Sequence, residues 1–531
     1  MSSEQIGPEG RVVTFIDLGT NSLRMLIVRL NPNHSYTILS RQKQQVRLGE
    51  GEFEDEEITP AAMDRAVVVA KKFVDLARTF HAEEFVAVAT SATREASNQI
   101  ELLHRIRQEA GLDIRIVSGR EEARLIFLGV VSSIHLSDRK VFCIDIGGGS
   151  TEIAIGDAKG YHHLDSFRIG AIRLANLYPC SDEKGIVSGE QQKKIQQHIR
   201  NVIVHAKAFI RTLRPDCVIG GSGTIVNLAE IAEKAFHQVN ESPPKPNGHT
   251  LRYKELRKVI DLLSPMTLEQ RRKVPGINPE RADIIVPGAL ILEVFMKELG
   301  LSEISVTSRG LQDGLLVDYL SRMASFPLMG ELTPRQRSVL QLGRSCGINE
   351  IHARTVTTLV LEMFDSARTK KLHDFSDAER ELLEYAAFLH DIGSFISFTN
   401  HHAHSYYIIR NSELLGFNDR EVNLIALLAR FHRKKSPRKK DLGTTDLDAR
   451  DQRVLLLLSC FLRLGESLDR SHAALVQHVR FSAADKTKAR LEILARGDCQ
   501  LEIWGIENEM RAFSKAFERN LEFSVKDIPL S

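Results

Sequence analysis

The sequence predicts two related α/β halves, followed by an all-α domain and a small α+β segment. Three observations indicate this order. Strand-like runs alternate with helical periodicity up to about residue 324, one turn motif occurs twice in that stretch, and long amphipathic helices replace the strands from about residue 331. The length of 531 residues is that of about three to four domains.

The first two predicted domains comprise residues 1–128 and 129–324. Each opens with two strand-like runs around a small-residue turn: VVTFIDLG and LRMLIVRL in the first, VFCIDIGGG and TEIAIGD in the second. Pro60 to Phe80 carries apolar residues at helical spacing. The repeated pattern consists of Ile16, Asp17, Gly19 and Ser22, and of Ile144, Asp145, Gly147 and Ser150. This internal similarity predicts a duplicated domain.

Three glycine turns are candidate phosphate sites. DLGTNS and DIGGGST each place a carboxylate at a strand end before a glycine, so that backbone N–H groups are free to face an anion. VIGGSGT follows a strand and opens a helix, whose N-terminus favours a phosphate group. Each turn alone is also typical of an ordinary tight connection, and only their combination in one chain indicates function.

The later segments predict different architecture. Five long amphipathic runs, from PRQRSVLQLGRSC to DQRVLLLLSCFLRLGESLD, predict an all-helical domain over residues 331–475. For residues 480–531 we expect short strands at ARLEILA and CQLEIWGIE and a helix at MRAFSKAFERN. The loop ESPPKPNGHT from Glu241 and the boundary SFPLMGELTP from Ser325 are the main predicted breaks.

Composition excludes several classes of protein. The net charge of +2 is far from the strong positive charge of proteins that coat nucleic acid, so no nucleic-acid partner is expected. The six cysteines are widely spaced without a CxxC pair, which indicates reduced thiols. We expect a cytoplasmic protein without a membrane partner, since no apolar run reaches about 20 residues and no signal-peptide pattern is visible.

The motifs resemble those of the exopolyphosphatase and guanosine pentaphosphate phosphohydrolase (Ppx/GppA) family. The matching segments follow in family order: FIDLGTNSLRMLIV, AVATSATREA, VSGREEARLIFLGV, IDIGGGSTEIAIG, GGSGTIVNLAEI, ERADIIVPGALIL and SRGLQDGLL. The resemblance implies duplicated domains of the actin, Hsp70 and sugar-kinase type, with a ribonuclease H-like fold. It also implies hydrolysis of a terminal phosphoanhydride bond.

The resemblance also implies roles for particular residues. Glu121 corresponds to the family's catalytic glutamate, with Glu122 as its immediate neighbour, and Arg94 would stabilise charge in the transition state. Asp145 and Glu152 would hold Mg²⁺ or Mn²⁺. The expected phosphate-binding residues are Asp17, Gly19, Asn21, Ser22, Arg24, Gly147, Gly148, Gly149, Ser150, Gly221, Ser222, Gly223, Thr224 and Arg281.

The helical domain resembles the HD phosphohydrolase superfamily. His352, His390, Asp391 and Asp469 occur in the order of HD ligands, and imidazoles with carboxylates suit Mn²⁺, Fe²⁺ or Zn²⁺. Further imidazoles lie nearby in sequence, at His401, His402, His404 and His432. The alternatives are a domain that only binds nucleotide or supports a homodimer.

The basic run RFHRKKSPRKK, from Arg430 to Lys440, contains no acidic residue. It is either a solvated loop or a surface that attracts a polyanionic chain.

The expected function is Mg²⁺-dependent removal of terminal phosphates from inorganic polyphosphate. Hydrolysis of guanosine pentaphosphate to the tetraphosphate by the same site is the closest alternative, because the two activities share these motifs. A sensor that binds an alarmone or polyphosphate without turnover, and a small-molecule kinase, are the alternatives from other classes. The expected assembly is a homodimer.

Overall fold

The computed structural model of the protein describes residues 9–51, 56–136, 138–180, 184–236, 249–323, 332–412, 414–434, 436–437 and 447–527. Most of the predicted loop at 241–250 and of the boundary at 325–334 lies outside these residues, as do Lys435, Lys439 and Lys440 of the basic run. The chain forms two compact units, Met1–Pro334 and Arg335–Ser531. The four domain boundaries given above stay predictions.

The first unit begins with a five-stranded sheet of order β3-β2-β1-β4-β5. β1 and β2 form an antiparallel hairpin, and β1 pairs in parallel with β4 on its other side. β1 is almost entirely buried because both of its faces are apolar, as expected for a central strand. The strands are β1 (Arg11–Leu18), β2 (Ser22–Leu30), β3 (Tyr36–Gln45), β4 (Glu84–Ala89) and β5 (Arg115–Ile116).

A second sheet in the same unit repeats this pattern, with the order β10-β11-β9-β6-β7-β8. Its central strand β6 pairs antiparallel with β7 and parallel with β9. The strands are β6 (Val141–Ile146), β7 (Thr151–Asp157), β8 (Gly160–Phe167), β9 (Cys217–Gly221), β10 (His249–Arg252) and β11 (Glu303–Val306). The duplicated ribonuclease H-like fold predicted from the sequence is thereby confirmed.

Helices cover the faces of both sheets. α4 and α11 contribute to one apolar cluster that includes Phe15 of the first sheet and Cys143 of the second, so they pack between the two sheets. The helices of this unit are α1 (Pro60–Thr79), α2 (Ser91–Glu95), α3 (Gln99–Ala110), α4 (Gly119–Val131), α5 (Ala171–Leu177), α6 (Gly189–Leu213), α7 (Ser222–Phe236), α8 (Tyr253–Leu263), α9 (Leu268–Arg271), α10 (Ile285–Leu299) and α11 (Leu311–Arg322), with a 3₁₀ turn at Pro279–Arg281.

The second unit is built around helices, as the amphipathic runs predict. The helix α12 (Pro334–Ser345) leads into it, and a 3₁₀ turn occupies Ile392–Phe395. Its further helices are α13 (Glu350–Thr369), α14 (Asp377–Leu389), α15 (His401–Asn411), α16 (Asp419–Phe431), α17 (Ala449–Leu468) and α18 (Gln500–Phe517). Of these, α14 and α16 begin with capping boxes, at Ser376 and Asn418.

A three-stranded sheet of order β12-β13-β14 completes this unit, with strands Val476–Ala484, Lys488–Ala495 and Asn520–Asp527. The expected strand at CQLEIWGIE is wrong, because this segment lies in α18. Its buried residues include Glu502, Gly505 and Ile506, at helical spacing, whereas Leu501 and Trp504 are exposed. The sheet and the helices share one apolar core.

The cysteine side chains agree with the expectation of reduced thiols. All six cysteines are free thiols. Within the described ranges, no helix has both the length and the apolar character needed to cross a membrane.

Candidate functional site

The turns of the two repeated hairpins face each other inside the first unit. A Cβ built on Gly148 would lie 3.0 Å from the Cβ of Thr20. Each hairpin is closed in the same way: the N–H of Gly19 donates to the carbonyl of Ser22 at 3.1 Å, and that of Gly147 to Ser150 at 2.9 Å. The duplicated turns are therefore equivalent in structure as well as in sequence.

Four carboxylates gather beside these turns: Asp17, Asp145, Glu152 and Glu122. Burial raises the pKa of Asp17 and of Asp145 to about 6, and each hairpin contributes one of these residues. Burial also raises the pKa of Glu152 to about 7, although Ser150 and Ser166 hydrogen-bond to it. Such a group of buried carboxylates is stabilised by cations or by protons.

The two adjacent glutamates of SGREEARLIF point to different places. Glu122 is buried next to Glu152, and burial together with that negative charge raises the pKa of Glu122 well above its ordinary value. Glu121 instead accepts two hydrogen bonds from Arg124, both at 2.8 Å, and these lower its pKa. The structure thus brings Glu122, and not the predicted Glu121, to the carboxylate group.

Arg94 lies beside Glu122. Its Nη1 is 3.1 Å from a carboxylate oxygen of Glu122 and donates to the carbonyl of Val117 at 2.8 Å. The predicted arginine is therefore held within the site by the buried glutamate.

Three cations interact with one another near the carboxylates: Arg24, Lys43 and Arg281. Partial desolvation, with the charges of Arg281 and Arg24, lowers the pKa of Lys43 to about 8, although the residue is exposed at the surface. Burial and the charge of Arg24 lower the pKa of Arg281 to about 10. Cations so close to one another repel, and a polyanionic ligand would relieve that repulsion.

Lys43 was not among the sequence-predicted residues, because strand pairing and not a sequence motif brings it to the site. Lys43 stands opposite Arg24 in the antiparallel pair of β2 and β3. Like charges directly opposite each other destabilise a sheet. A strand pair that keeps two such cations is typical of a site that binds an anion.

The third glycine turn joins the same site. A Cβ on Gly221 would lie 3.1 Å from Oδ2 of Asp145, and one on Gly223 would lie 2.4 Å from a guanidinium nitrogen of Arg281. Arg281 also donates to the hydroxyl of Thr224 at 3.5 Å. Ser222 has φ +82°, in the left-handed region, where β9 passes into α7.

The donor set fits a hard cation. Oδ1 of Asp17 and both side-chain polar atoms of Asn21 are buried and have no hydrogen-bond partner among the residues described. Buried oxygen donors without partners suit Mg²⁺, which is usually held by one or two carboxylates together with substrate phosphates and water. Asp145 and Glu152 are opposite each other in the β6–β7 pair, so both can approach one ion.

A second constellation lies in the helical unit. Nε2 of His390 is 2.9 Å from Glu466, and Nε2 of His352 is 3.2 Å from the same carboxylate oxygen. Asp469, predicted as a ligand, instead approaches the other ring nitrogen of His352, Nδ1, at 2.7 Å. Glu466 was missed by the sequence analysis. It lies three residues before Asp469, a spacing that places both residues on the same side of a helix.

Two groups in this unit each have three candidate metal-ligand atoms within 4.8 Å of one another. They are the groups of this kind found among the described residues. One contains His352, His390 and Asp391, and the other contains Asp391, His401 and His432. The structure therefore brings together three of the four predicted HD residues.

Comparisons with known proteins agree with this architecture. Residues 26–323, more than half of the chain, match the model of the Ppx/GppA phosphatase family, and residues 335–509 match the model of domain III of Ppx/GppA phosphatases. A crystal structure of an exopolyphosphatase from Cytophaga hutchinsonii is 30% identical, with 59% of this chain and 99% of that chain covered and a TM-score of 0.55. An exopolyphosphatase-like protein of solved structure is 26% identical, with coverages of 59% and 98% and a TM-score of 0.53.

Proposed function

This chain belongs to the Ppx/GppA phosphatase family, and on that premise we propose that it is an exopolyphosphatase that removes terminal phosphates from inorganic polyphosphate. One observation carries the proposal: three glycine turns, four buried or half-buried carboxylates and three mutually repelling cations meet at a single place in the first unit. Phosphoryl transfer needs this combination of charge neutralisation, alignment and an activated water.

Polyphosphate is the proposed substrate because the site holds three cations that could neutralise several successive phosphates. The backbone amides of Gly147–Ser150 and Gly221–Thr224 would cradle the terminal phosphate. Arg24, Lys43 and Arg281 would neutralise the phosphates that follow it, and binding of these phosphates would remove the mutual repulsion of the three side chains.

Glu122 is the proposed general base, in place of Glu121. A base must reach the water that attacks phosphorus, and Glu122 is the glutamate of the pair that lies with Asp17 and Glu152. Its raised pKa makes it a better proton acceptor than an ordinary carboxylate. Glu121 is occupied by Arg124 and so is poorly suited to this role.

Asp145 and Glu152 are the proposed Mg²⁺ ligands, with Asp17 close to them. The ion would supply charge neutralisation on the phosphate oxygens. The chain's own residues would do the rest: Glu122 takes the proton of the attacking water, and Arg94 holds Glu122 in position through their ion pair.

Guanosine pentaphosphate remains the second candidate substrate, because it ends in the same phosphoanhydride bond. The deciding experiment compares phosphate release from long-chain polyphosphate and from guanosine pentaphosphate, side by side, with Mg²⁺ and with Glu122→Gln as the inactive control. We expect faster release from polyphosphate. Release from guanosine pentaphosphate alone would assign the rival activity, and binding of either without release would indicate a sensor.

The predicted homodimer and cytoplasmic location stay predictions. Size measurement in solution and fractionation of cells would test them.

A further inference from the structure

The first unit contains a buried arginine that the proposed function does not use. Arg173 lies in the first turn of α5, and only 9% of its surface is exposed. An arginine is seldom buried to this extent unless its charge is paired and its N–H groups have acceptors. The acceptors of Arg173 belong to two elements of the candidate site, the second turn (Gly147–Ser150) and α2.

The carbonyl groups of the second turn are held from the side of α5. Those of Gly147 and Gly148 accept from backbone N–H groups at the start of α5, at 3.0 and 2.8 Å, whereas that of Gly149 accepts from Nε of Arg173 at 2.7 Å. In a trans peptide the C=O and the following N–H point in opposite directions. The N–H groups of Gly148, Gly149 and Ser150 therefore point away from α5. Within the described part of the chain these three N–H groups have no protein acceptor, so they are available to an anion.

The first turn is held differently at the equivalent place. Asn21 corresponds to Gly149, and its carbonyl accepts from the backbone N–H groups of Val46 and Arg47, both at 3.0 Å. Backbone donors are present whatever the side chains are, so that turn does not depend on a single side chain. In the second turn the equivalent donor is the guanidinium of Arg173. The geometry of the second turn therefore depends on this one residue.

The other end of the Arg173 guanidinium contacts α2. Nη2 donates to Oε1 of Glu95 at 2.8 Å, and the hydroxyl of Ser91 donates to the same oxygen at 2.9 Å. Glu95 directly follows Arg94, whose ion pair with Glu122 holds the proposed base in position. Arg173 thus joins the phosphate-binding turn to the helix that carries Arg94.

An ion pair that only stabilises the fold is the competing explanation. It accounts for the contact with Glu95, which also pairs with the exposed Arg168 at 3.3 Å. It does not account for the contact with Gly149, because a carbonyl group of the second turn is not needed to neutralise a guanidinium. The two contacts use different nitrogens of one planar fork, and a lysine ammonium group cannot reproduce that geometry.

We propose that Arg173 is a positioning residue for phosphate release. It fixes the peptide between Gly149 and Ser150, so that the Ser150 N–H faces the terminal phosphate. It also holds α2 in place, so that Arg94 stays beside Glu122. The inference rests on the proposed function, since it assigns the second turn to the phosphate that is cleaved. Arg173 acts through these groups and makes no contact with the phosphate itself.

The test compares Arg173→Met with the wild type in the full-length chain. Methionine keeps an unbranched side chain but removes both contacts. The kcat for phosphate release from long polyphosphate should fall by about 10-fold or more, because a misplaced N–H no longer stabilises charge on the transferred phosphate. KM should stay within about three-fold of the wild type, since Arg24, Lys43 and Arg281 bind the phosphates that follow.

Two further variants separate positioning from stabilisation of the fold. Arg168→Met is the matched control, because it removes the other arginine from Glu95 and leaves the contact with Gly149 in place. Its kcat should remain within about two-fold of the wild type. Arg173→Lys keeps the charge without the fork and should recover only part of the lost kcat. Thermal unfolding shows that each variant is folded at the assay temperature, and Arg173→Lys stays informative if the methionine variant is unstable.

A binding experiment keeps this inference distinct from the proposed function. Calorimetric titration with inorganic phosphate in the presence of Mg²⁺ measures binding at the terminal subsite, whichever substrate the protein hydrolyses. The Kd should rise by about 10-fold in Arg173→Met and stay unchanged in Arg168→Met. A wild type that binds phosphate but releases none from polyphosphate would overturn the proposed function and leave this comparison intact. An unchanged Kd in folded Arg173→Met, or full recovery of kcat in Arg173→Lys, would overturn the positioning role.

Discussion

The side chains of adjacent helical residues point about 100° apart. Glu121 and Glu122 therefore differ in burial and in contacts, although they are neighbours in the chain. α4 begins after the N-cap Ser118, whose hydroxyl accepts from the N–H of Glu121. This places Glu121 half-buried in the first turn beside Arg124, and Glu122 on the face that packs inward. The choice of catalytic base therefore depends on the phase of one helix.

The first prediction separates these two glutamates. Glu122→Gln keeps the shape of the side chain but removes its basicity, so kcat for phosphate release should fall by about 10²-fold or more while polyphosphate still binds. Glu121→Gln is the matched control and should stay within a few-fold of the wild type. The reverse pattern, with Glu121→Gln inactive and Glu122→Gln active, would return the role to Glu121.

The second prediction concerns pH. A base must be deprotonated to act, and burial with the nearby charge of Glu152 raises the pKa of Glu122. The value of kcat/KM should therefore rise with pH along a limb that lies above the ordinary glutamate range. Glu152→Gln removes the repelling charge and should move the limb to lower pH, even though it also slows turnover.

Phosphate release measured from pH 5 to 9 tests this expectation, with Glu121→Gln as the control whose limb should not move. A flat profile over this range in the wild type would contradict the assignment of a raised pKa to the base.

At the scale of elements, the position of α4 depends on its contact with α11. A Cβ built on Gly314 would lie 1.8 Å from the carbonyl oxygen of Leu125, and one on Gly129 would lie 2.3 Å from that of Gly310. The two helices approach closely because both glycines lack a side chain. The carboxylate of Glu122 reaches the site only if α4 keeps this place.

The third prediction tests that contact. Gly314→Ala improves helix propensity by about 1 kcal/mol, but the clash forces the helices apart and should lower the free energy of unfolding by about 1–3 kcal/mol overall. Because Glu122 moves with α4, kcat/KM should fall as well. Denaturant unfolding and phosphate release measure the two effects.

Gly189→Ala is the matched control, since a Cβ at the first residue of α6 would have no neighbour within 4 Å. Its stability should stay within about 0.5 kcal/mol of the wild type. Equal stability of Gly314→Ala and wild type would show that α4 and α11 can separate without cost.

At the scale of the whole molecule, the chain consists of two units with separate apolar cores. Each unit gathers its own ionisable groups: carboxylates and guanidinium groups in the first, imidazoles in the second. The chemistry of the two groups differs accordingly, because oxygen ligands favour Mg²⁺ and nitrogen ligands favour transition metals.

The fourth prediction concerns attraction of a long polyanion by the basic run. Replacement of Lys434, Lys435, Lys439 and Lys440 by Gln should raise KM for long polyphosphate and weaken its salt dependence, because Coulomb attraction to the chain is lost. A short substrate should be barely affected. An equal effect on long and short substrates would place the relevant charges elsewhere, and unchanged kinetics would leave the run a solvated loop.

The duplicated fold and the three glycine turns could be predicted from the sequence alone, because strands and glycine turns depend on local patterns that a linear chain displays. Asp17 and Asp145 could be identified in this way, each standing directly before its turn. Periodicity failed where polar and apolar residues alternate within a helix, as in the segment that lies in α18.

Which ionisable groups come together depends on packing in three dimensions. Lys43 lies beside Arg24 through strand pairing, the phase of α4 turns Glu122 toward the site, and Glu466 contacts His390 at a sequence separation of 76. Electrostatic interactions act through space and fall off within a few ångströms of protein. A site made of such contacts is therefore decided by packing, which the order of residues along the chain does not display.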